Sequence, residues 1–140
     1  GHRNPATVAL ELGAHGKVLV HASAVDMGQD PAQMLTQIVA GELHLLPTSI
    51  RVSPIDTLIT PDSGITSASR TVFYVGNAAG LAARRLYELL LTAAAELTGI
   101  SQVEIDPHCA AFVNAETGSV VLTLASLADL AQQRRDCRSG

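Results

Sequence analysis

Aromatic residues are scarce in this chain: two Phe, two Tyr and no Trp among 140 residues. Charge is scarce too, at 16% of the sequence, where ordinary globular domains carry about 25%. The balance is acidic, nine Lys and Arg against 13 Asp and Glu, for a net charge of −4. An acidic chain with so few stacking side chains argues against a nucleic-acid partner. Cysteine is limited to Cys109 and Cys137. They are too isolated for a disulfide framework or a Cys-x-x-Cys metal site, and fall short of the thiolate set of an iron–sulfur cluster. No apolar run approaches the ~18–20 residues of a membrane helix, so no membrane partner is expected. There is no internal repeat, no Gly-x-Ser-x-Gly, no P-loop and no dinucleotide fingerprint. The opening Gly1-His2-Arg3-Asn4-Pro5 lacks the apolar region of a secretory signal. Residues 1–5 are expected to be a tag or linker, residues 6–134 the domain, and residues 135–140 a tail.

What the chain does have is apolar surface. Hydrophobic residues make up 47% of a length that suits one domain with a real core. With few charges to cover it, part of that surface is expected to face protein, either an oligomer partner or the remainder of a larger polypeptide.

The pattern predicts an α+β, mixed α/β chain: β-hairpin, helix, strand, long helix, short strands, terminal helix. Thr7–Leu12 begins with polar and apolar residues alternating, turns at Gly13-Ala14-His15-Gly16, and is followed by a partner strand over 17–24. In that partner Val18, Val20 and Ala22 share one face. Lys17, Leu19 and His21 share the other, which is only partly polar and so is expected to be covered as well. Met34, Leu35, Ile38, Val39 and Leu43 then fall at helical spacing behind Asp30-Pro31-Ala32-Gln33, which reads as an N-cap, N1 proline and N3 glutamine. Pro47 ends this helix, and Ile50–Ser53 reads as a short strand. A long hydroxyl-rich loop over 56–70 precedes a long helix predicted over 71–98 and ended by Gly99. Strands are expected at 103–106, 109–114 and 120–124, the last two joined by the Glu116-Thr117-Gly118 turn, with a helix over about 125–135.

Two loops carry candidate chemistry because both are expected to open a helix, whose unpaired backbone N–H groups and positive dipole end suit an anion. In Met27-Gly28-Gln29, Gly28 allows close backbone approach and the Gln29 amide can donate to an oxo or phosphate oxygen. In Gly64-Ile65-Thr66-Ser67-Ala68-Ser69-Arg70, three hydroxyls and an arginine flank the predicted helix start. Taken singly, each is also an ordinary capping segment. His21, His44 and His108 show no ligand spacing and read as surface or satisfied core histidines. Asp56, Asp62 and Asp106 lack a recognisable carboxylate partner and read as turn or cap residues.

Taken in order, these segments carry a resemblance. Asp26-Met27-Gly28-Gln29, Gln37-Ile38-Val39-Ala40, Asp56-Thr57, Pro61 through Arg70 and Gly76-Asn77-Ala78 resemble the molybdenum-binding large subunit of the xanthine dehydrogenase/aldehyde oxidase family, the molybdenum hydroxylases, from about residue 7 to residue 133. The resemblance implies a C-terminal molybdopterin-binding region of an enzyme that hydroxylates aldehydes or N-heterocycles with water-derived oxygen. It implies Gly28, Gln29, Thr66, Ser67, Ala68 and Ser69 as cofactor-contacting residues. The metal is held by the pterin dithiolene, so no metal ligand is assigned to the chain. The family's catalytic Glu lies in a Gly-rich segment with no counterpart here, so no catalytic residue is assigned either. Further implied are [2Fe–2S] clusters and FAD on other domains or subunits, a small-molecule substrate, and a cytoplasmic setting. The rest of the large subunit is the implied partner, a homo-oligomer through apolar surface remaining open. Alone, the chain is expected to be inactive and to retain no cofactor.

One departure supports a second reading. Asp30 stands where the family has a second Gly, and a carboxylate there would compete for the helix N–H groups and repel phosphate. On that reading the chain is a diverged, non-catalytic binding or assembly module that kept the fold without the cofactor.

Overall fold

The structure, a computed structural model, describes residues 7–22, 29–54, 73–76 and 79–130. Alternation of apolar and polar residues builds its first sheet. Strands β1 (Thr7–Leu12), β2 (Val18–Ala22), β3 (Ile50–Pro54) and β4 (Phe73–Gly76) are arranged in the order β3-β2-β1-β4. β1 is antiparallel to both of its neighbours and β2 is parallel to β3, so β2, β3 and β4 all run the same way. The hairpin turn is a 3-10 turn over Ala14–Gly16, with His15 and Gly16 at positive φ. Val8, Leu10, Leu12, Val18 and Val20 point from one face into the core.

Helix α1 (Gln29–Leu43) makes the crossover from β2 to its parallel neighbour β3, and α2 (Ala79–Thr98) follows β4. Ile38 lies beside Gly80, Glu42 meets Arg84 at 3.4 Å and His44 stacks on Tyr87. Residue numbers rise together along both helices, so the two are parallel. The small residues Ala79, Ala82 and Ala83 are buried, which lets the helices and the sheet approach closely, while Leu86 and Leu90 fill the core further along. α1 ends with His44 at a φ of 58° and a bond from Leu45 N–H to the Ala40 carbonyl, the left-handed closure that usually recruits glycine. Gly99, at a φ of 78°, ends α2.

A second sheet, β5 (Val103–Asp106), β6 (Ala111–Asn114) and β7 (Val120–Thr123), is an antiparallel meander. A third helix, α3, begins at residue 124 and is described to residue 130. Thr123 caps it, its hydroxyl accepting from Ser126 N–H at 2.9 Å. Val103, Ile105, Phe112, Leu124 and Leu127 join the same core as the first sheet and α2. The α+β class is as the sequence indicates.

Three predicted boundaries differ. Residues 73–76 are strand rather than the start of the long helix, because Phe73-Tyr74-Val75 is an aromatic and β-branched run that suits a strand and extends the sheet past β1. The long helix therefore begins at Ala79. Cys109 and Ala110 belong to a turn rather than to β6: the Asp106 carboxylate accepts from His108 N–H at 2.9 Å, and Ala110 takes a φ of 50°. Finally α1 opens at Gln29, which puts Asp30 and Pro31 in its first turn rather than at the cap and N1.

Candidate functional site

The first sheet has two unlike ends. At one end Val8 is level with Ala22, Ala22 with Pro54, and Thr7 with Gly76. The last residues of β2, β3 and β4 therefore share one rim, beside the start of β1. From adjacent strands of this rim the chain departs at Ala22 toward Gly28 and Gln29, and at Pro54 toward residues 55–72. It departs again at Gly76 toward α2. The first turns of α1 and α2 follow two of these departures, so parallel strands and parallel helices direct both helix starts to the same side of the fold.

Of the residues singled out in the sequence, Gly28, Thr66, Ser67, Ala68 and Ser69 lie outside the described residues, as do Asp56, Asp62 and Arg70. Gln29 is the first residue of α1. Residues 66–69 stand closer in sequence to Phe73, where β4 begins at the opposite edge of the sheet from β3, than to Pro54, so the described residues do not bring the two predicted segments together. Residues 66–69 precede β4, not a helix, so the dipole reasoning moves to α2, which starts just past Gly76; α1, whose Ile38 lies beside Gly80, starts about 13 Å further out.

Those two starts differ in chemistry. The first turn of α2, Ala79-Gly80-Leu81-Ala82, contains no acidic residue, so its backbone N–H donors meet no competing carboxylate from within that turn. The first turn of α1 holds Asp30, which adds negative charge, and Pro31, which lacks an N–H. Backbone donors and small residues at one rim are the kind of donor set that suits an anionic organic cofactor. Among the described residues no three His, Cys, Asp or Glu side chains converge as metal ligands.

His44 and His108 are exposed, and Cys109 is an exposed free thiol. His21 is different. On the sheet face opposite the helices its Nε2 lies 3.5 Å from Oε2 of Glu11, with the two side chains 14% and 10% exposed. Sequence reading missed Glu11. The signal was available in the hairpin register, which sets Ala9 opposite His21 and Glu11 opposite Leu19 and so makes positions 11 and 21 diagonal neighbours on one face.

Comparison with known proteins adds to this geometry. A family model for the molybdopterin cofactor-binding domain matches residues 1–138. The chain is 30% identical over 116 residues to the probable hypoxanthine oxidase XdhD of Escherichia coli strain K12, and equally to that of Escherichia coli O157:H7. The match takes in 82% of this chain but spans only 12% of the length of these relatives. Among solved structures it is similar to a Cu,Mo-CO dehydrogenase in the carbon monoxide reduced state, with a TM-score of 0.57 and 19% identity over 89% of this chain and 16% of that one. It is also similar to quinoline 2-oxidoreductase from Pseudomonas putida 86, with a TM-score of 0.61 and 17% identity over 93% of this chain and 17% of that one. At these identities the structural likeness concerns the fold.

Proposed function

Because the chain belongs to the molybdopterin cofactor-binding domain family, we propose that it contributes cofactor-contacting loops to a molybdenum hydroxylase of the xanthine dehydrogenase/aldehyde oxidase kind. The match of that family's model to residues 1–138 carries the reading. The rim supports it for the first segment, since β2 ends there and leads to Gly28 and Gln29. The similar proteins' names, a probable hypoxanthine oxidase and a quinoline 2-oxidoreductase, favour an N-heterocyclic substrate over an aldehyde.

In this proposal Gly28 admits the cofactor close to the backbone and the Gln29 amide donates to one of its oxygens. Thr66, Ser67 and Ser69 offer hydroxyls, and Ala68 its backbone. The bound molybdenum centre supplies the two-electron redox chemistry by which water-derived oxygen enters the substrate. The chain itself binds and orients; it provides no metal ligand and no catalytic residue, and on its own it is inactive. Electrons leave through [2Fe–2S] clusters, and FAD where present, on other domains or subunits, in a cytoplasmic enzyme.

The test is elemental and pterin analysis of the full-length protein produced with a cofactor supply, followed by assay on hypoxanthine-like heterocycles and on aldehydes. Stoichiometric molybdenum with heterocycle oxidation is expected. A protein free of molybdenum overturns the reading and leaves the second one, a non-catalytic module that kept the fold. One observation favours that alternative: Asp30 stands in the first turn of α1, beside the predicted Gly28–Gln29 contact.

A further inference from the structure

Resting on that functional reading, we propose that Glu11 and His21 are positioning residues that hold the cofactor rim in register. The pair is an unusual use of a sheet face. Helices α1 and α2 cover the face that carries Val8, Leu10, Val18 and Val20, and the opposite face of such a sheet is commonly solvated and polar. Here it is not: Ala9 is fully buried, Glu11 is 7% exposed and Leu19 is half-buried. Two ionisable groups taken out of water on this face carry a desolvation penalty. A well-packed apolar pair would serve stability equally well or better.

Their placement gives the pair a use. His21 is the penultimate residue of β2 and pairs with Ala9. Its neighbour Ala22 is level with Val8 on one side and Pro54 on the other. A contact of 3.5 Å from Glu11 to His21 thus ties the end of β2 diagonally onto β1, just below Ala22, from which the chain departs toward Gly28–Gln29. A specific polar contact restrains where a strand end lies in a way that apolar packing does not. Groups that orient a bound centre's direct ligands commonly change its affinity by about tenfold to a hundredfold; this pair acts one step further back, through the end of β2, so the lower figure is the expected ceiling.

The decisive comparison is made in the full-length protein, between wild type and the double variant Glu11→Leu/His21→Leu. Molybdenum and released pterin are measured per polypeptide, and Tm is measured on the cofactor-free form. The expected result is a cofactor-free Tm within a few degrees of wild type, with loading at limiting cofactor reduced severalfold, about tenfold at most. Loading equal to wild type overturns the proposal. So does a loss of loading that only tracks a fall in cofactor-free Tm, because the pair would then be structural alone. Should the double variant fail to fold, Glu11→Gln decides. It keeps the shape and removes the charge, so reduced loading at unchanged Tm is expected, and unchanged loading overturns the proposal. A wild-type protein that takes up no molybdenum is a distinct failure: it removes the functional reading first, and this proposal with it.

Discussion

The two ends of the four-stranded sheet are built on opposite plans. At the hairpin end the chain is closed on itself. Gly13 N–H donates to the Lys17 carbonyl at 2.7 Å, Lys17 Nζ reaches the Thr48 carbonyl at 3.0 Å, and Gly16 sits directly on the backbone of α3. At the other end, Ala22, Pro54 and Gly76 release the chain into connections before it returns. The hairpin end spends its backbone groups on local closure, whereas the rim gathers the ends of β2, β3 and β4, with α2 starting just past it and α1 beginning more than two turns further out. Tightness on one side holds the strands in register along their whole length, and so fixes where their other ends lie.

The largest test of this contrast is Gly16→Ala. Gly16 has a φ of +79°, and a Cβ there would lie 2.7 Å from Ala125 N and 3.0 Å from the Leu124 carbonyl carbon. Left-handed strain and collision with backbone add, for an expected loss of about 3 kcal/mol in urea unfolding. Gly118 has the same φ of +79° with nothing within 4 Å, so Gly118→Ala isolates the strain at about 1 kcal/mol. Equal losses in the two variants would show that the seat on α3 does not hold the closed end.

Next in size is the cap of the helix on which that end sits. Thr123→Ala removes the acceptor for Ser126 N–H, with an expected cost of about 1 kcal/mol by the same measurement. Asp30→Gly should cost about 1 kcal/mol, because a carboxylate in the first turn of a helix is itself stabilising and glycine is a poor helix former. It should raise affinity for pyrophosphate, followed by calorimetry, about threefold through the lost repulsion at the start of α1. No gain in affinity would separate Asp30 from the anion site and weaken the contrast between the two helix starts.

Much of this fold could be read from periodicity. The β1–β2 hairpin, the α1 stripe and the β5–β7 meander each follow from spacing together with Gly, Pro or Asn at the turns. The sequence failed where two signals competed. Phe73-Tyr74-Val75 lies directly ahead of a run of small helix-forming residues, and only the open edge of β1, a long-range partner, decides that it is strand. Ala110 takes a left-handed conformation at the end of a turn that the Asp106 side chain opens at His108, and alanine gives no local sign of it. At the candidate site, Gly28 and Gln29 stood out because glycine and a helix start are local features. The grouping of their root with that of residues 55–72 is a product of parallel pairing between β2 and β3, which sequence spacing does not reveal. Glu11 went unnoticed for the same reason, since its partner is set by cross-strand register.

The smallest effect belongs to Tyr87, on the helix that links the two plans. Its ring stacks on His44 with centroids 4.7 Å apart. Burial, and secondarily the negative charge of Glu104 on β5, push its phenol above the ordinary value of 10.0. A raised acid pKa means that the folded state holds its proton more tightly than the unfolded chain does. The stabilisation is therefore complete below about pH 10 and is lost as pH rises through the folded-state pKa. Unfolding free energy should accordingly be insensitive to Tyr87 near neutrality and fall in alkali. Tyr87→Phe keeps the stacked ring while removing the titrating group, so it should flatten that alkaline slope and leave the neutral plateau nearly in place. An unchanged slope in Tyr87→Phe would mean that the α2–β5 contact is not where alkali acts.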